Sequence, residues 1–76
     1  MLKEIMHNGY KVAIDVEEVD SIWRGRYVVR LDGALICDET VICADDVKDV
    51  SRAESVIFGI AQTRADKHHR DEPLFP

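Results

Sequence analysis

Ile22-Trp23-Arg24-Gly25-Arg26-Tyr27-Val28-Val29-Arg30-Leu31-Asp32-Gly33-Ala34-Leu35-Ile36-Cys37 is the stretch that decides the fold. Asp32-Gly33 stands between two apolar runs. A type I′ turn needs positive φ at both central positions, and Asp-Gly adopts it readily, so the dipeptide predicts a two-residue β-hairpin. Upstream of the turn, Trp23, Tyr27, Val29 and Leu31 fall on one face of a strand over about 22–31. Arg24, Arg26, Val28 and Arg30 fall on the other. Downstream, a third strand is expected over about 34–43. A two-residue loop sets Leu31 opposite Ala34, Val29 opposite Ile36 and Tyr27 opposite Asp38, which brings an acid onto the core face. Val41 and Cys43 then fall out of phase with Ile36. A bulge near residues 38–40 would slip the register by one and restore the phase.

Moving outward, residues 10–17 alternate with period two. Tyr10, Val12, Ile14 and Val16 share one face, and Lys11, Asp15 and Glu17 share the other, the pattern of a half-buried antiparallel strand. His7-Asn8-Gly9 reads as a turn ahead of it, and residues 18–21 as the connection to the next strand. On the far side, the hydrophobic period changes to 3.6. Ser51 with Glu54 three residues on reads as a capping box, and Ala53, Val56, Ile57, Ile60, Ala61 and Arg64 follow helical spacing over about 51–67. The expected architecture is α+β, a three-stranded antiparallel sheet packed on one C-terminal helix (β-β-β-α). Its core is Trp23, Tyr27, Val29, Val56, Ile57 and Ile60. A tail over 70–76, with Leu74-Phe75, is apolar enough to dock on a neighbouring surface.

With 76 residues, the chain is expected to form a single domain over 1–76, and a core of that size is marginal alone. Self-association is one route to further burial, so a homodimer is expected. The two cysteines, Cys37 and Cys43, lie about 20 Å apart on one regular strand, too far for a disulfide. Two isolated thiols fit a reducing compartment. With no signal-peptide pattern near the start and no apolar run of membrane-spanning length, the expectation is a cytoplasmic protein with no membrane contact.

The net charge is −5. An acidic chain is repelled by phosphate backbones and anionic lipid, which argues against nucleic acid as a partner. The local exception is the arginine stripe Arg24, Arg26 and Arg30, the candidate interaction surface. It is read first as cross-strand ion pairing, with Arg26 opposite Glu39 or flanked by Asp15 or Glu17. As an alternative, it is an anion or nucleic-acid contact. RNA-binding sheets add exposed aromatics for stacking, and here Trp23 and Tyr27 lie on the opposite face.

His68-His69 with Asp66 and Asp71 is the one cluster of metal-ligand types. Neighbouring histidines on a helix point about 100° apart, so a solvated helix end is the better account, and no metal site or cofactor is expected. Neither Cys37 nor His68 has a visible base or nucleophile partner, and no catalytic residue is assigned. The chain reads as a non-enzymatic interaction or regulatory module with a possible protein partner.

Residues 9–31, then Val41-Ile42-Cys43-Ala44-Asp45, a helix and a terminal Leu74-Phe75 resemble the small bacterial proteins grouped as HlyU-type. That family has a Gly-aromatic opening strand, an Arg-containing middle strand and an Ile-Arg-Ala-Asp segment, where this chain has Cys43 in place of the arginine. The resemblance implies a bacterial source. The transcriptional role suggested by the family name is not carried over, since a helix-turn-helix needs two helices. The β-β-β-α order is similar also to HicB-type antitoxin domains, which implies a protein partner.

Overall fold

The computed structural model describes residues 2–71. Four strands and one helix follow in chain order: β1 Leu2–His7, β2 Tyr10–Val19, β3 Ile22–Leu31, β4 Ala34–Ile42 and α1 Val50–Asp71. The sheet is antiparallel with the spatial order β1-β2-β3-β4. The α+β architecture is as the sequence predicts, but the sheet has four strands and not three. The Leu74-Phe75 tail lies outside the described residues.

The additional strand is β1. Asn8 (φ 50°) and Gly9 (φ 86°) form a tight turn that folds it back on β2, pairing His7 with Tyr10 and Leu2 with Asp15. Asn-Gly is the same hairpin signal as Asp-Gly. Asp20-Ser21 and Asp32-Gly33 also take positive φ at both positions, so all three strand connections are two-residue turns of the twist-compatible kind.

The register slip in β4 is present, at Ile36 rather than near residues 38–40. Leu31 pairs with Ala34 and Arg30 with Leu35, and then Val29 pairs with Cys37, leaving Ile36 as the extra residue. In consequence Tyr27 faces Glu39 and not Asp38, and Arg26 faces Thr40 and not Glu39. The acid on the helix-facing side is therefore Glu39. The slip lies beside the turn, and the ladder from the Val29–Cys37 pair to the Arg24–Ile42 pair is regular.

Helix α1 begins one residue earlier than predicted, and its cap is not Ser51. Asp49 accepts the Arg52 amide at 2.8 Å through Oδ1, and its carbonyl accepts the Ala53 amide at 3.0 Å. That makes Asp49 the N-cap. Glu54 is instead directed at Lys3, 2.9 Å away. The helix also continues past residue 67, to Asp71.

One face of the sheet is covered by α1, which lies over β2 and β3. Tyr10, Val12, Ile14 and Val16 of β2 meet Tyr27 and Val29 of β3 and Ala53, Ile57, Ala61 and Ala65 of the helix, all buried. Cys43 and Val47 close the end. Of the predicted core, Tyr27, Val29 and Ile57 are fully buried, while Trp23, Val56 and Ile60 are half-buried against its margin. The Trp23 indole Nε1 finds no hydrogen-bond acceptor among the described residues. The helix presents small residues on every buried turn except at Ile57, so it sits close to the sheet. Gly25 marks the closest approach: a Cβ there would lie 2.8 Å from Ile57 Cγ1 and 2.9 Å from Val16 Cγ1.

Candidate functional site

The side of the sheet away from α1 is uncovered. Strand alternation and the pairing register place Leu2, Glu4 and Met6 of β1, and Lys11, Ala13, Asp15, Glu17 and Val19 of β2, on it. β3 contributes Ile22, Arg24, Arg26, Val28 and Arg30, and β4 contributes Leu35, Asp38, Thr40 and Ile42. Among the described residues the exposed large hydrophobics are Leu2, Met6, Val19, Ile22, Leu35, Ile42 and Val50. All but Val50 lie on this one face, around its charged centre.

The three predicted arginines stand in the middle of that face, and they are engaged. Arg26 grips Asp38 with two parallel bonds, Nε to Oδ1 at 2.8 Å and a terminal nitrogen to Oδ2 at 2.6 Å. This fork holds the Asp38 carboxyl below its ordinary range and raises the Arg26 guanidinium in turn. Arg24 donates to Glu17 Oε1 at 2.7 Å. Lys11 lies 3.7 Å from Glu4. Arg30 contributes charge to the Asp38 site. The bulge creates the Arg26–Asp38 pair: by facing Arg26 with Thr40, it leaves Asp38 one pleat away on the same side. A shallow depression of about 380 Å³ lies between Asp15, Glu17, Arg24, Gly25, Arg26 and Thr40. Its two carboxylates and two guanidiniums cancel in formal charge.

The covered side carries a second polar cluster, at the β4 edge. The Tyr27 hydroxyl donates to Glu39, the Cys37 thiol lies 3.3 Å from Glu39 Oε1, and Arg64 Nε lies 3.3 Å from both the hydroxyl and that oxygen. Burial first, and then the bond to Glu39, push the Tyr27 phenol well above its ordinary range. Burial likewise raises the Cys37 thiol, and it raises Cys43. Burial thus works against the thiolate at both cysteines, the reverse of the activation a nucleophile needs. The bond from Tyr27 is the main cause that lowers the Glu39 carboxyl.

That shift has a sign. A carboxyl lowered by folding stabilises the fold above its ordinary value of 4.5, and the contribution disappears as pH falls through the lower folded value. Urea midpoints measured from pH 6 to pH 3 should fall as pH drops below 4.5. Glu39→Gln should flatten part of that fall, and equal acid sensitivity in both proteins would refute the assignment.

At the opposite edge, His7 Nε2 meets Asp66 Oδ1 at 2.8 Å, and Tyr10 Oη meets His68 Nδ1 at 2.8 Å. His68 and Asp66, read from sequence as members of one cluster with His69, thus face separate partners. Among the described residues no group of three His, Cys, Asp or Glu side chains could hold a metal ion. No described helix is long and apolar enough to cross a membrane.

The two polar clusters guard the sheet edges. Lys3 on β1 and Glu39 on β4 each point inward toward the helix, where they pair with Glu54 and Arg64. Inward charges and a bulge are devices that discourage a further strand from adding to an edge. Sequence reading identified the arginines but not Asp38 as the partner of Arg26, nor the grouping of the apolar residues around them. The signal for the grouping is the even spacing Leu2, Glu4, Met6, which acquires a face once Asn8-Gly9 is read as a hairpin. Comparison with protein-family models, with curated proteins and with solved structures finds no match.

Proposed function

We propose that this chain is a small non-enzymatic interaction module that works as a homodimer in the bacterial cytoplasm, of the kind grouped as HlyU-type. The observation that carries the reading is the gathering of exposed apolar side chains on the uncovered sheet face, opposite a helix that already serves the core. Apolar side chains set around a charged centre on one face are costly to leave wet and are stabilised by a partner. The described side chains favour a binding role: His7 and His68 are hydrogen-bonded, and Glu17, Asp38, Glu39 and Glu54 are each tied to a cation. Nucleic-acid contact through Arg24 and Arg26 is the weaker reading, because a phosphate would have to displace Glu17 and Asp38, and the surrounding face has no net positive charge.

The test is the solution mass by light scattering on a sizing column at low and high salt. A mass of two chains across a range of concentrations is the expected result. A mass of one chain at every concentration overturns the reading.

A further inference from the structure

The uncovered face carries a charge pattern as well as an apolar one. Its acids are Glu4, Asp15, Glu17 and Asp38, and its bases are Lys11, Arg24, Arg26 and Arg30. The face is therefore formally neutral, and the chain's net −5 resides elsewhere. Two copies meeting here avoid the repulsion that any other surface would impose on average. The neutrality is also uneven. On β1 and β2 the face holds three acids and one base, and on β3 and β4 it holds three bases and one acid.

Resting on the homodimer reading, we propose that two copies pack sheet on sheet through this face, related by a two-fold axis that runs along the strands. Such an axis lays β1 of one copy over β4 of the other, and β2 over β3, so each acid-rich half meets a base-rich half. A two-fold axis across the strands would lay each strand on its own counterpart and set like halves together. The register gives the facing rows. Leu2, Asp15, Arg26 and Thr40 form one row, Glu4, Ala13, Val28 and Asp38 the next, and Met6, Lys11, Arg30 and Leu35 a third.

Reversing each row over itself sets Asp15 against Arg26 of the second copy, Ala13 against Val28, and Met6 against Leu35. The row of Glu17 and Arg24 repeats the acid–arginine match. The reversal also brings Glu4 toward Asp38 and Lys11 toward Arg30. Glu4, Lys11 and Asp38 each hold an opposite charge in their own chain, which offsets these like-charge approaches.

Four strands about 4.8 Å apart and roughly 30 Å long offer about 550 Å² a side, below the ~800 Å² per partner of a standard interface. The dimer is accordingly small, and its guarded edges leave the face as its means of growth.

The experiment uses charge reversal and mixing. Asp15→Arg sets arginine against Arg26 of the second copy, and Arg26→Asp sets acid against Asp15. Each variant alone should dimerise about tenfold or more weakly than the parent, and an equimolar mixture should restore the two-chain mass, because the two variants match each other across the axis. Glu17→Arg mixed with Arg24→Glu repeats the test one row away, and circular dichroism confirms that each variant is folded. Single variants that dimerise like the parent, or mixtures that remain monomeric, overturn the arrangement while a dimeric parent preserves the homodimer reading. A monomeric parent overturns both.

Discussion

Ile57→Ala should cost about 2–5 kcal/mol, the range for emptying a fully buried aliphatic site. At ~0.05–0.15 kcal/mol per residue, a chain of this length has about 4–11 kcal/mol in total, so the loss is a large part of its stability. Ile57 is the one bulky residue on the helix's fully buried stripe, between Ala53, Ala61 and Ala65. Those alanines hold helix and sheet too close for neighbours to collapse into the vacated space. Val50, exposed and away from the uncovered face, is the control: Val50→Ala should change stability by less than about 0.5 kcal/mol. Urea denaturation of the two variants checks the contrast, and a loss below about 1 kcal/mol for Ile57→Ala would contradict this account of the core.

Gly25→Ala should destabilise by about 1–3 kcal/mol through overpacking, although a methyl group normally strengthens a strand. The backbone at Gly25 is not in the left-handed region, so the cost is steric. The new Cβ would press on Ile57 Cγ1 at 2.8 Å, Val16 Cγ1 at 2.9 Å and the Asp15 carbonyl at 3.2 Å. Ile57→Ala removes the first of these atoms. In that background Gly25→Ala should cost less, and the double-mutant cycle should show a favourable coupling above about 0.5 kcal/mol. Additive losses would mean that the strain is relieved elsewhere.

Much of the fold was legible from local pattern. Asp32-Gly33 located the hairpin, alternation at Tyr10, Val12, Ile14 and Val16 located β2, and the change of period located the helix. What escaped was set by tertiary partners. On β1, Lys3 and His7 point toward the helix, so its inward face reads as polar until Glu54 and Asp66 are in place to receive them. Asn8-Gly9 carried the missing information but was read as a turn leading into the sheet rather than within it. The capping box at Ser51 and Glu54 reads as complete in sequence, but Asp49 caps the helix and Glu54 ties down β1. The arginine stripe was legible as a face but not as a set of partners, since the presence of a bulge between the turn and Arg26 decides whether it faces Glu39 or faces Thr40 with Asp38 beside it. Gly25 gave no signal in sequence, because its reason is the distance to a helix more than thirty residues away.

The three two-residue turns have a consequence for how the chain reaches this structure. Every strand pairs with its immediate neighbour in sequence, so ladder formation never has to close a long loop, and the entropy of closure is met in the smallest available steps. Hairpins of this kind form in roughly 1–10 μs. The one distant event is the arrival of α1 on β2 and β3, across the short segment from Cys43 to Asp49. Contact order is consequently low for a sheet protein, and the chain should fold faster than sandwiches or barrels of similar strand content.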